Sequence, residues 1–160
     1  MRRIIRRREV VEDDARYPGE SDPGEGRLVL GLAQFLAATR AGAAPRPTAV
    51  LLEPTDEVAQ LAPSLAALTL IVVNFPTAGE GRGFSQARML RGRLRYGAEL
   101  RARGVLKRDQ LFFLARCGFD SFDLDPSEDL EAALPALDSF SVAYQDGSEQ
   151  LVQPRRRELP

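Results

Sequence analysis

The run Gly79-Glu80-Gly81-Arg82-Gly83-Phe84-Ser85 concentrates chemistry that this sequence could do. Glycines at alternate positions let backbone N–H groups turn toward a ligand, and the helix expected to follow presents its positive end there. Arg82 adds a fixed cation. Such a loop suits a phosphate, sulfate, sulfite or carboxylate. Its spacing is neither GxGxxG nor a P-loop, since no GK[ST] follows, so nucleotide binding is not indicated. The same glycines could simply make a tight strand-to-helix turn capped by Ser85. The residues alone leave both readings open.

A second triplet, Arg108-Asp109-Gln110, stands where another helix is expected to begin. Asp109 there can cap free N–H groups and favour the helix dipole. An arginine beside it does not help the dipole, so Arg108 is a candidate for gripping an anion or a partner carboxylate bidentately. Asn74, at the end of an apolar run, would project from the same edge of a parallel sheet, where such folds bind ligands. The candidate anion- or partner-binding set is therefore Asn74, Arg82, Gly83, Ser85, Arg108, Asp109 and Gln110. Glu53, Asp123 and Asp125 are further polar positions at expected strand exits. The two aspartates suit either a hard cation or a simple turn. Arg88, Arg91 and Arg95 recur at helical spacing, as a solvated face or a basic surface for an acidic partner. Cys117 falls on an apolar face and reads as a buried, inert thiol.

Composition narrows the rest. The chain of 160 residues has no His, no Trp and one Cys. Without histidine there is no Ser-His-Asp or Cys-His nucleophile system and no His-ligated metal site. One cysteine excludes an internal disulfide, a CxxC pair and a Cys-ligated iron–sulfur cluster. No metal constellation and no flavin, NAD or cluster motif is evident, so no cofactor is expected. Lys+Arg number 22 against 23 Asp+Glu, a net charge of -1, which argues against nucleic-acid and membrane-surface partners. No apolar run approaches the ~20 residues that span a bilayer. Arg6 to Arg8 interrupt any secretory h-region, and a cytoplasmic placement is expected.

The elements that must position these residues read as follows. Ile4-Ile5 and Val10-Val11 suit two short strands or a hairpin. A Pro- and Gly-rich loop spans Tyr17 to Gly26, a helix covers Gly31 to Thr39, and Ala41 to Pro47 reads as a linker. From Thr48, short apolar runs alternate with helical periods. Strands are expected at Ala49–Glu53, Leu68–Asn74, Ala98–Ala102 and Ser121–Leu124. Helices are expected at Asp56–Leu65, Gly83–Tyr96 and Leu106–Cys117, the last ending on Gly118 in a left-handed cap, and a further helix opens at Ser127. This alternation predicts an α/β fold with a small parallel sheet covered by helices, either an open three-layer sheet or a partial β/α barrel. Residues 1–47 would form a β-rich N-terminal extension, 48–145 the α/β domain and 146–160 a flexible tail.

Several runs also carry a resemblance: Gly81 to Arg91, Gly97 to Arg101, Val105 to Leu114 and Arg116 to Phe122. They resemble a bacterial domain-of-unknown-function family, number 934, whose members read DGRGYS-ARLLR, GELRA, VLRDQLFF and RCGFDAF. The likeness extends through Phe140-Ser141 and Tyr144-Gln145, and more weakly over Ile4 to Asp14 and Leu28 to Leu36. Glu80-Gly81 replaces the usual Asp-Gly, Ala15 and Phe35 stand where tryptophan is frequent, and Lys107 is inserted near the VLRDQ motif. The resemblance implies an accessory or oxidoreductase-type role in assimilatory sulfite or nitrite reduction, with the sirohaem reductase haemoprotein as partner. The residues themselves support a different reading beside it, an enzyme or sensor that binds a small anion.

Overall fold

The computed structural model describes residues 2–20, 26–43 and 48–138, so residues 21–25 of the expected loop, part of the expected linker, residues 139–145 and the expected tail 146–160 lie outside the described residues. Eight strands form one sheet: β1 (Arg3–Arg6), β2 (Glu9–Glu12), β3 (Ala15–Arg16), β4 (Arg27–Gly31), β5 (Thr48–Leu52), β6 (Leu70–Phe75), β7 (Glu99–Gly104) and β8 (Ser121–Asp123). Their order is β2-β1-β8-β7-β6-β5-β4-β3. The strands β3 to β8 are parallel, and β1 and β2 add an antiparallel hairpin against β8. The segment 1–47 thus supplies β1 to β4 of the same sheet as the α/β unit.

Because β3 to β8 lie side by side in chain order, every right-handed crossover falls on one face. That face carries α1 (Leu32–Arg40), α2 (Arg82–Arg88), α3 (Leu111–Cys117) and α4 (Leu130–Ala133). The main core lies under them, built from alternate strand residues such as Ile5, Val50, Leu52, Ile71, Val73, Leu100 and Phe122 against Leu32, Phe35, Ala87, Leu90, Leu111 and Leu114.

The other face is curled inward, giving a half-barrel. The link between β2 and β3 explains the curl. These strands occupy opposite edges of the sheet, yet only Asp13 and Asp14 connect them. Three Cα steps reach about 11 Å, whereas seven strand spacings laid flat would cover about 34 Å. The backbone of this link is bonded to both sides: Asp13 N–H donates to the Arg2 carbonyl at 2.8 Å, and Arg27 N–H donates to the Asp14 carbonyl at 2.9 Å.

Several elements differ from the sequence expectation in local form. The segment expected as a helix from Asp56 is a 3-10 helix over Val58–Ala67 with Pro63 inside it, which cannot donate to an α-helical ladder. The helix expected from Gly83 begins one residue earlier, continues past Arg88 as a π-helical turn over Met89–Arg93, and stops before Arg95, whose φ is 60°. Arg108–Gln110 form a separate 3-10 turn ahead of α3, and Gly118 ends α3 at φ 115° as expected. The helix expected to open at Ser127 opens instead at Asp129, whose side chain accepts from Glu131 N and Ala132 N. Ser127 serves Asp125, donating from both its N–H and its hydroxyl.

The hairpin expected over Arg2 to Val11 is present, with the register Arg3↔Glu12 to Arg6↔Glu9. Its two-residue turn puts Arg7 at φ 50° and Arg8 at φ 70°. Both angles belong to the turn type that favours Asn-Gly, and each costs an ordinary L-residue about 1–2 kcal/mol. Replacing Arg7 by Asn together with Arg8 by Gly is expected to stabilise the fold by about 1 kcal/mol, read as a shift of the urea midpoint. The Arg8–Asp138 ion pair lost in this change is exposed and worth little.

Candidate functional site

Strand alternation sends residues 99, 101 and 103 of β7, and 121 and 123 of β8, to the curled face. On β3 to β6 the middle of the same face is apolar: Ala15, Val29, Ala49, Leu70 and Val72, with Tyr17 just past β3, form a separate small cluster. The inner face is therefore half hydrocarbon and half charge, and the charges stack in three levels along β7.

At the amino-terminal level Glu99 meets Arg27 at 3.0 Å, although β7 and β4 are separated by β5 and β6 in the sheet. Arg27 also meets Asp14 at 2.7 Å, and Arg6 closes the ring to Asp14 at 3.3 Å and to Glu99 at 3.4 Å. Burial opposes the Glu99 charge, but Arg101 and Arg27 outweigh it and hold its carboxyl below the usual range. At the middle level Arg101 is fully buried. Its Nε donates to Ser121 Oγ at 2.8 Å, Nη1 to Asp13 Oδ1 at 2.8 Å and to Tyr17 Oη at 3.0 Å, and Nη2 to Glu99 Oε1 at 2.8 Å. These two levels plug the interior from below.

The carboxyl-terminal level is open. Arg103 lies 3.7 Å from the Tyr17 ring centroid, and its Nε donates to Asp123 Oδ2 at 3.2 Å. Arg2 also lies over Tyr17, at 4.9 Å, and is held by Asp13 at 3.1 Å. Asn74 donates to Glu53 Oε1 at 2.8 Å. A cleft of about 850 Å³ opens here, bounded by Arg2, Asn74, Arg103, Asp123, Asp125 and Glu128 among others. Burial pushes the Asp123 carboxyl above its ordinary range, against the pull of Arg103 and Arg2. Asp125, by contrast, is held below that range by its hydrogen bonds from Ser127. The two aspartates thus do different work. Among the described residues no group of three or more His, Cys, Asp or Glu is placed to hold a metal ion.

Of the residues singled out in the sequence, Asn74, Asp123 and Asp125 line this cleft. Arg82 is largely exposed and folds back on Glu80 at 3.1 Å, and the same carboxylate accepts the Arg82 N–H at 3.0 Å. Gly83 is buried inside α2, where a Cβ would stand 2.5 Å from Phe75 Cζ and 2.9 Å from Val73 Cγ1. Phe75 is itself held between Phe84 and Phe119, with centroids at 5.2 and 5.9 Å. The glycine is required by packing, and Gly83→Ala is expected to cost about 1–3 kcal/mol, measured by chemical denaturation. Ser85 lies within α2 and is not its cap, which corrects the capping role considered above. Arg108 and Asp109 are exposed in the 3-10 turn, where Arg108 N–H donates to Glu128 Oε1 at 2.8 Å and Gln110 Oε1 accepts from Lys107 N–H at 2.9 Å. Arg91 points its guanidinium at the carbonyls of Gly118, Tyr96 and Ala98, at 2.7–2.8 Å, and so braces the fold rather than forming a free basic face. Cys117 is buried, and burial raises its thiol pKa.

Arg101, Arg103, Asp13 and Tyr17 were not singled out from the sequence. A signal was present: Glu99-Leu100-Arg101-Ala102-Arg103 alternates charge with hydrocarbon inside a parallel sheet, where central strands ordinarily run apolar.

The family described as "Bacterial protein of unknown function (DUF934)" matches residues 49–154. The chain belongs to this family. The match runs from the second residue of β5 through β8 and includes the helices between them, and with them Asn74, Arg103 and Asp123 of the cleft. The strands that complete the curl, β1 to β4, lie ahead of the matched range. No curated protein matches the chain. No helix among the described residues is long and apolar enough to cross a membrane.

Proposed function

We propose that this protein of the DUF934 family binds a small oxyanion at the carboxyl mouth of its curled sheet and serves assimilatory sulfite or nitrite reduction as an accessory of the sirohaem reductase. The single observation that carries the binding reading is the guanidinium of Arg103. It lies over the Tyr17 ring, 3.7 Å from its centroid, and is oriented by Asp123, and that hydrogen bond uses one of its five donors. A guanidinium fixed in this way at a cleft wall is built for bidentate contact with a planar or tetrahedral oxyanion. The accessory reading is supported by the sequence motifs of Gly81 to Phe122 and what their resemblance implies. Sulfite, an oxyanion, joins the two readings.

Calorimetric titration with sulfite, at a pH where it is largely hydrogensulfite, tests the first reading. Wild-type protein is expected to bind, and Arg103→Gln to bind about ten- to a hundredfold more weakly, the loss of a charge-assisted contact. Equal affinity in both proteins refutes the assignment. Recovery of the haemoprotein on the tagged chain from cells grown on sulfate tests the second reading. Its absence, with reductase activity unaltered by added protein, removes that role.

A further inference from the structure

We propose that the cleft selects oxyanions that carry a proton: Arg103 binds the anion, and Asp123 accepts a hydrogen bond from the hydroxyl the anion retains. This rests on the oxyanion reading above and adds the class of ligand.

The argument starts from the neighbour of Arg103. A site meant for any anion would surround the guanidinium with donors. Here its partner is a carboxylate, 3.2 Å away and bounding the same cleft. An ionised carboxylate is an acceptor only, with about four lone-pair positions, of which Arg103 Nε occupies one. An oxyanion seated on the terminal nitrogens of Arg103 meets that acceptor. If the anion carries a hydroxyl, its O–H donates to Asp123 and the contact is favourable. If it carries none, two sets of lone pairs face each other, and like-charge contact of this kind is costly. The same geometry that rejects a bare anion therefore admits a protonated one of equal charge and shape.

The surroundings fit this role. Asp123 is in the field of Arg103 and Arg101 of β7, Arg2 just ahead of β1 and Asp13 of the closing link. Arg101 and Arg2 are both engaged by Asp13, at 2.8 and 3.1 Å, so neither is free to cancel Asp123. Arg103 is its nearest cation. Asn74 stands on the neighbouring strand, paired in register with Arg103, and its amide is oriented by Glu53.

Inorganic phosphate and sulfate make the test. At pH 8 both are tetrahedral dianions of similar size, and they differ by the proton that phosphate keeps. Calorimetry at that pH is expected to show wild-type protein binding phosphate at least about tenfold more tightly than sulfate. Asp123→Asn, which replaces an acceptor by a side chain that also donates, is expected to erase the preference, mainly by admitting sulfate. Arg103→Gln is expected to weaken phosphate binding while leaving any remaining order of preference unchanged. Equal affinity of wild-type protein for the two anions overturns the selectivity and leaves the oxyanion site standing. A preference that survives Asp123→Asn in a protein with native circular dichroism overturns the assignment to Asp123. Failure to bind phosphate, sulfate and sulfite alike overturns the site itself, and with it this inference. Should Asp123→Asn fail to fold, the wild-type ratio of the two affinities still decides.

Discussion

Arg101→Met is expected to destabilise the protein by about 3–5 kcal/mol, the range for removing one partner of a buried ion pair. Methionine fills most of the volume, so the loss is electrostatic. Asp13, whose side chain is fully buried, would keep its charge with only Arg2 opposite it, and Glu99 would lose its contact at 2.8 Å. Tyr17 Oη and Ser121 Oγ would lose partners as well. Urea denaturation followed by circular dichroism reads the effect. Arg101→Met combined with Asp13→Asn is expected to be more stable than the sum of the single changes, because the double variant no longer buries the unpaired charge. Strict additivity would show that Arg101 and Asp13 do not act as a unit.

The consequence reaches beyond stability, since Arg101 is what ties the closing link to the opposite strand. Asp13 lies in the link that joins the two edges of the sheet and Tyr17 directly follows β3, and Arg101 grips both. Tyr17 is in turn the platform for Arg103. The pH dependence follows from the same network. Glu99 and Asp14 are held below the ordinary carboxylate range in the folded chain, despite the opposing effect of burial. Their contribution to stability is complete above the carboxylate range of the unfolded chain and is lost as pH falls through the folded-state values. Asp123 is raised by burial and acts in the opposite sense. Its carboxyl favours the fold most when protonated, and that contribution fades as pH rises through its folded-state value.

Gly104→Ala is the second large effect, with an expected loss of about 3 kcal/mol or more. The residue has φ 134°, and an added Cβ would stand 2.2 Å from the Phe75 carbonyl oxygen and 2.8 Å from its carbon. These are backbone atoms of the adjacent strand, so no rotamer change relieves the contact. Backbone strain of about 1–3 kcal/mol and overpacking of about 1–3 kcal/mol act together. Gly104 and Val105 also form part of the cleft rim directly after Arg103. A fall in thermal midpoint with weakened anion binding is the expected pair of results. Unchanged stability would mean that β6 and β7 do not approach as closely as described.

Much of the architecture was legible because its causes are local. Apolar runs at residues 49–53 and 68–74 mark strands buried chiefly against hydrocarbon, and each lies within a residue or two of its place in the sheet. Gly118 signals its helix end because a glycine can take the left-handed conformation that closes α3. The helical segments were less well bounded. Pro63, the π-helical turn at Met89–Arg93 and the Asp129 cap each depend on how a helix meets the sheet beneath it.

The candidate site shows where local reading ends. The sequence by itself determined that a parallel sheet would gather polar residues at one edge, that Asn74 would be among them, and that histidine chemistry and an internal disulfide were excluded. It also carried the motifs by which the family is known. Only the tertiary structure decided that the sheet curls, and the reason is a connection of two residues between strands at its opposite edges. Curling turns one face of β7 from an outer surface into an interior. Glu99, Arg101 and Arg103, whose alternation along the chain does not name their partners, thereby meet Asp13, Tyr17 and Arg27 from the other side. That meeting spans 84–88 residues of sequence for Arg101. No periodicity records it, because it exists only when the two edges of the sheet are brought together.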